Sequence, residues 1–242
     1  MKHEEVFING EDNGWLLKQN FWFDPEHPNG FEIVKDLNIL YPEKYFDVDH
    51  VKPETVDFYC DSVLAYFQHI TGKPLINLIE FGSGGGWFLK KFIDKGIDVK
   101  GLEGSKAGVD ACMKRGIHRF DIDQCDFRID FSVKFDVKPY EIALCTEVAE
   151  HIEPPFTSAL VSSLCESSDL VWFSFEPPNT NPAHRHHPNE MPAKFWINLF
   201  EFYGYGCYML PDHIFEGCEG RGRMIFYSLN AYPNGILEKT IQ

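Results

Sequence analysis

Basic residues are scarce in this chain. There are 22 Lys and Arg against 37 Asp and Glu, and the net charge is -15. So acidic a chain has no broad positive surface for phosphate backbones, which argues against DNA or RNA as a partner. Long apolar runs are absent as well. No stretch approaches the roughly 20 residues of a membrane span, and Met1-Lys2-His3-Glu4-Glu5 lacks the apolar core of a signal peptide. A cytoplasmic protein away from membranes is expected. Paired cysteine motifs are missing too. The seven cysteines, Cys60, Cys112, Cys125, Cys145, Cys165, Cys207 and Cys218, include no C-x-x-C. Their number is odd, so reduced and mostly buried thiols are expected rather than a disulfide framework. Internal repeats and low-complexity segments are absent.

Apolar residues, by contrast, are plentiful. With 242 residues, 44% of them hydrophobic and 15% aromatic, the chain can bury the core of one α/β domain with an N-terminal addition. Residues 1–52 are dense in Asn, Asp, Gly, Pro and aromatics without a clear period, as in Asn20-Phe21-Trp22-Phe23-Asp24-Pro25. They read as an irregular arm packed on the domain, or as a lid over a substrate site. Residues 53–242 read as the main domain. Its first helix starts at Pro53, with Val56, Tyr59, Cys60, Val63, Leu64, Phe67 and Ile70 on one face.

The central stretch is Leu78-Ile79-Glu80-Phe81-Gly82-Ser83-Gly84-Gly85-Gly86-Trp87-Phe88-Leu89. An apolar run, a glycine turn and helically spaced apolar residues follow one another, the pattern of a buried strand, a tight loop and a helix. Glycine is placed where backbone turns sharply or lies close to a ligand. A dinucleotide fingerprint requires a third glycine at 87 or 89, where Trp87 and Leu89 stand. A nicotinamide or flavin oxidoreductase is thereby disfavoured. The second Gly-rich turn, 217–223, has no following G-K-[ST] and is a poor phosphate loop.

Further apolar runs give a second strand ending in Glu103-Gly104-Ser105, a third within 117–127, a fourth over 140–145 and a fifth over 170–175. Glu103 stands at the end of the second strand, about 20 residues past the glycines, where a carboxylate accepts from both hydroxyls of a ribose. Its alternative role is to cap the next helix, which Ser105 can do instead. After the fourth strand comes Thr146-Glu147-Val148-Ala149-Glu150-His151-Ile152. His151 reads either as an acceptor-side base or as a packing histidine. After the fifth strand a polar loop carries His184, His186 and His187. Their close spacing fits no common zinc pattern, so an acceptor-binding loop without metal is expected.

Together, acid-x-G-x-G-x-G with Glu80, Gly82, Gly84 and Gly86, the acid Glu103, and E-V-x-E-H-I after strand four resemble the motifs of the class I S-adenosylmethionine (SAM) dependent methyltransferases. The resemblance implies a Rossmann-like, doubly wound, seven-stranded, mostly parallel sheet, its antiparallel last strand inserted beside the fifth. It implies SAM as cofactor and S-adenosylhomocysteine as product. It implies cofactor contacts from Glu80, Gly82, Ser83, Gly84, Gly86, Glu103 and Gly104. Asp126 and Phe127 would lie at the adenine, with Asp121 and Asp123 as alternatives, and Thr146 and Glu147 at the methionine end. His151, His184, His186 and His187 are the expected catalytic residues. Methyl transfer to a hydroxylated small molecule or glycan, with O-methylation of a sugar as the favoured case, is expected. A phenol, carboxylate or protein acceptor is the alternative, and a non-catalytic SAM-fold binding protein is the rival from another class. The oligomeric state is left open.

Overall fold

The computed structural model describes residues 16–18, 21–24, 31–34, 37–46, 53–128, 139–178, 187–210 and 222–236. The domain is a seven-stranded sheet built from β4 (Asn77–Phe81), β5 (Asp98–Glu103), β6 (Ile122–Gln124), β7 (Ile142–Cys145), β8 (Leu170–Phe175), β9 (Tyr205–Met209) and β10 (Gly222–Ser228). Strands β1 (Leu16–Lys18), β2 (Phe21–Asp24) and β3 (Phe31–Val34) belong to the N-terminal residues. The order across the sheet is β6-β5-β4-β7-β8-β10-β9. Pairing is parallel from β6 through β8, and β10 runs antiparallel to both β8 and β9. The inserted antiparallel strand expected from the family resemblance is therefore present. Strand order reverses at β4, where β5 lies on one side and β7 on the other. Ligands of open α/β sheets bind at such a switch point, outside the carboxyl ends of the strands.

Helices α3 (Pro53–Thr71), α4 (Trp87–Asp94), α5 (Lys106–Lys114), α6 (Thr157–Ser167) and α7 (Ala193–Phe202) cover the sheet. Alternation along each strand divides the core in two. Leu78, Ile142, Leu144, Leu170, Trp172 and Ile225 join the cluster under α3, α4 and α5. Ile79, Phe81, Ala143, Cys145, Phe173 and Phe226 join the one under α6 and α7. Both faces are covered, which is why these strands read as continuous apolar runs. Two residues on the α3 side break the run near the carboxyl ends of their strands: Glu80 of β4 and Ser174 of β8, 2% and 0% exposed. Both lie at the candidate site. The described cysteines are all free thiols, and all but Cys207 are buried.

The N-terminal residues are more regular than their sequence suggests. β1 (Leu16–Lys18), β2 (Phe21–Asp24) and β3 (Phe31–Val34) form a separate antiparallel sheet, followed by the single-turn helices α1 (Leu37–Leu40) and α2 (Glu43–Phe46). Strands of three or four residues are too short to display a period. Between β6 and β7 the described residues contain no helix, and 129–138 lie outside them. No helix among the described residues is long and apolar enough to cross a membrane.

Candidate active site

The glycine turn between β4 and α4 folds back on β5. Gly82 N and Ser83 N both donate to the Leu102 carbonyl, at 2.8 and 3.0 Å, and Gly86 N donates to Ser83 O at 2.8 Å. Gly82, Gly84 and Gly86 have φ of 76°, 54° and 76°, a left-handed run that explains the residue choice. A Cβ at Gly82 would run into Val148 of the β7 exit loop, whereas one at Gly84 would meet nothing within 4 Å. The turn is packed below and open above. Arg115 clamps its outer side, with Nε donating to Gly85 O at 2.7 Å and the guanidinium 3.2 Å from the Trp87 ring centre.

Two buried carboxylates flank the turn. Glu103 accepts from Gly84 N at 2.8 Å on one oxygen and from Ser105 N at 3.0 Å on the other. Ser105 caps α5 through its side chain, accepting from Gly108 N at 2.9 Å. The capping alternative for Glu103 is thus resolved in favour of Ser105, although Glu103 still touches the helix start. Burial pushes the Glu103 carboxyl up, and the Ser105 and Gly84 amides pull it back. Glu80 is different. Burial pushes it up to about 8, with the Ser83 hydroxyl opposing and the Glu103 charge adding. Its Oε2 has no hydrogen-bond partner among the described residues. A buried carboxylate oxygen left over beside an open glycine turn is a fitting partner for a ligand cation.

The β7 exit supplies the next wall. Thr146 Oγ1 lies 2.5 Å from the Tyr59 hydroxyl of α3, and Tyr59 packs against Phe88 and Trp172. Glu147 has φ 55°, unusual for a residue with a side chain. Ser174 holds it there: Glu147 N donates to Ser174 Oγ at 3.0 Å, and Ser174 Oγ donates to Glu147 Oε1 at 2.7 Å. Strain of this kind concentrates at functional sites.

A 3₁₀ turn, Ala149–His151, comes next. Its His151 meets His187 edge to face at 4.5 Å between ring centres. His187 is the one residue of the expected histidine trio that is described; His184 and His186 lie outside the described residues. Glu150 is buried beside the pair. On the far side, Arg128 donates to both Asp126 oxygens, at 2.9 and 3.0 Å, and to Glu153 Oε1 at 2.9 Å. The Asp126 carboxylate therefore belongs to a buried ion network. The Phe127 ring turns inward and stacks on Phe81 at 5.5 Å, so it sits in the core rather than at the cleft surface.

Described residues of the N-terminal segment touch these elements. Asn38 Oδ1 accepts from Lys106 N at 2.9 Å, and a Cβ on Gly104 would meet Leu37 Cδ1 at 2.6 Å. Tyr41 Oη lies 3.1 Å from His151 Nδ1, and burial first, then Tyr45 and Glu153, pushes the Tyr41 phenol up. Sequence reading missed Tyr41, Tyr59 and Ser174. Tyr59 shows only as one more apolar-face residue of a helix. Glu150 was within reach, since it adjoins His151.

The chain resembles known proteins over this region. A family model described as methionine biosynthesis protein MetW matches residues 69–152. No curated protein sequence matches. Among solved structures, magnesium protoporphyrin IX methyltransferase (ChlM) from Synechocystis PCC 6803 superposes with TM-score 0.54 at 16% identity, over 73% of this chain and 83% of that one. The methyltransferase domain of bacterial CtHen1 gives 0.53 at 19%, over 72% and 98%. The plantazolicin methyltransferase BpumL gives 0.60 at 11%, over 79% and 92%. The ChlM and BpumL structures contain S-adenosylhomocysteine. Strand order, inserted antiparallel strand and glycine turn together give the chain the fold of these SAM-dependent methyltransferases.

Proposed function

We propose that the protein is a SAM-dependent methyltransferase acting on a hydroxyl of a small molecule or glycan, with a sugar as the favoured acceptor. The reading is carried by the pair of buried carboxylates at the glycine turn. Glu80 keeps an unpartnered oxygen for the ammonium of the methionine part. Glu103, fixed by Gly84 N and Ser105 N, has lone pairs left for the two ribose hydroxyls. Gly82, Ser83, Gly84, Gly86 and Gly104 supply close backbone approach, Thr146 and Glu147 border the methionine end, and the Asp126–Arg128 pair closes the adenine end. SAM brings an activated methyl on a sulfonium, so the protein's main work is to align an acceptor oxygen with it.

The acceptor side is the Glu150–His151–His187 cluster, under Tyr41. The hydroxyl proton is lost there, a step an oxygen nucleophile needs. Around the cleft stand Glu103, Glu147, Glu150 and Glu153, with Arg128 already held by two carboxylates. So acidic a surround repels phosphorylated or carboxylated acceptors and favours a neutral polyol. The test is incubation with methyl-labelled SAM and a panel of glycosides, phenols, carboxylic acids and peptides, beside a calorimetric titration with S-adenosylhomocysteine. Label on a glycoside is expected. Label on a phenol alone would reassign the acceptor, and no binding of S-adenosylhomocysteine would overturn the methyltransferase reading.

A further inference from the structure

Three side chains from two separate loops converge on the acceptor side of the cleft. Glu150 and His151 come from the 3₁₀ turn after β7, and His187 from the loop after β8. One potential ligand atom of each lies within 4.8 Å of the other two. Glu150 is buried and His187 nearly so, its side chain 7% exposed. The loops are fastened together by Asn189. Its backbone N donates to Glu150 O at 3.1 Å, and its side-chain amide donates to Ala149 O at 3.2 Å and Thr157 Oγ1 at 2.8 Å. His151 Nδ1 has an outer hydrogen-bond neighbour, Tyr41 Oη at 3.1 Å, and Glu190 Oε1 stands at ion-pair distance, 3.4 Å, from His187 Nδ1. A histidine that ligates through one nitrogen is typically oriented by a hydrogen bond at the other, as His151 is by Tyr41.

We propose that Glu150, His151 and His187 form a binding site for a divalent first-row metal ion, with the histidines ligating through Nε2, and that the ion holds the acceptor hydroxyl for methyl transfer. The second half rests on the methyltransferase reading; the first does not. One carboxylate with two imidazoles suits Mn²⁺, Fe²⁺, Co²⁺ or Zn²⁺ better than the all-oxygen cages of Mg²⁺ and Ca²⁺. Three protein ligands leave positions open for water or substrate, the mark of a catalytic rather than a structural site. A hydroxyl bound to such an ion loses its proton to solvent near neutral pH. Its oxygen then forms the new bond to the methyl carbon as the carbon–sulfur bond breaks, and that electron pair returns to sulfur to leave a neutral thioether. The metal keeps its oxidation state throughout. The histidine spacing along the chain misleads here, because the ligands meet across loops.

The test uses the full chain after EDTA dialysis. Co²⁺ is titrated in while its visible ligand-field absorption is followed, and Mn²⁺ is titrated by calorimetry. Saturation at one equivalent is expected. His187→Ala and Glu150→Gln should each weaken Co²⁺ binding by about 100-fold, while His69→Ala, on the exposed face of α3, leaves it unchanged. Thermal melts and S-adenosylhomocysteine titrations report whether each variant is folded. No saturable Co²⁺ binding by the wild-type chain, or binding indifferent to both substitutions in folded variants, overturns the site. S-adenosylhomocysteine bound without Co²⁺ would sink the metal and spare the methyltransferase reading; Co²⁺ bound without S-adenosylhomocysteine would do the reverse. If EDTA removes methyl transfer and Mn²⁺ restores it, the acceptor role stands. Transfer that EDTA does not touch removes that role.

Discussion

Glu80 is a carboxyl whose chemistry is far from ordinary. A carboxyl with a folded-state value of about 8 binds more protons in the folded than in the unfolded chain between its usual value of 4.5 and that point. Stability must therefore fall as pH rises through this window, because ionising the buried group is unfavourable. A cationic ligand reverses the balance by drawing the carboxylate back. At pH 7, binding of S-adenosylhomocysteine, which keeps the ammonium, should release a proton from Glu80. Calorimetry in two buffers of different ionisation heat reads that number directly. Glu80→Gln should abolish the release and flatten the pH dependence of the melting temperature between about pH 5 and 8. Equal proton release by wild type and variant would remove Glu80 from the cofactor site. The position was legible because an acid interrupts an apolar strand just ahead of glycines. Its unpartnered oxygen was not, since that depends on what the other strands bring near it.

At the scale of elements, the site is two loops pressed together, the glycine turn after β4 and the exit of β7. Gly82 and Val148 form the contact, for a Cβ at 82 would overlap Val148 Cγ2. Gly82→Ala meets two penalties: a left-handed φ of 76°, worth about 1 kcal/mol, and the clash, worth about 1–3 kcal/mol. Adding Val148→Ala should relieve the second and leave the first. Thermal or urea melts of both single variants and the double variant should show non-additivity of about 1–2 kcal/mol. Additive losses would mean that the loops move independently. The strands bordering this contact could be read from sequence, because parallel strands covered on both faces carry unbroken apolar runs, as in Leu78-Ile79 and Leu170-Val171-Trp172-Phe173. The meeting of Glu150 with His187 was hidden. It is set by the Asn189 bonds between two loops 36 or more residues apart, and no period along the chain encodes it. His184 and His186 drew attention through their clustering, which told nothing about what His187 faces.

For the whole molecule the question is what the first 52 residues do. The two apolar clusters of the main domain draw on residues from 56 onward. The described contacts of the preceding segment are peripheral: Asn38 at the start of α5, Glu43 paired with Lys114, Leu37 over Gly104, and Tyr41 on His151. An exposed pair such as Glu43–Lys114 contributes little. The segment is therefore expected to be dispensable for folding and to matter for ligands, since Leu37 lies over Gly104 and Tyr41 against His151. The short strands of this region hid its regularity in the sequence, yet its aromatic content already indicated that it packs on something. A chain reduced to residues 53–242 should still unfold in one cooperative transition, with its melting point lowered by a few degrees, about the effect of losing 1–2 kcal/mol. Its affinity for S-adenosylhomocysteine should fall by about 10-fold, the equivalent of about 1.4 kcal/mol of lost contact. Tyr41→Phe in the full chain separates the two effects of the segment. It keeps the ring over His151 and removes the hydroxyl, so it should leave S-adenosylhomocysteine binding intact and impair only what happens on the acceptor side. A truncated chain that fails to fold would make the segment part of the core. One that binds S-adenosylhomocysteine as tightly as the full chain would leave it a surface ornament rather than a lid.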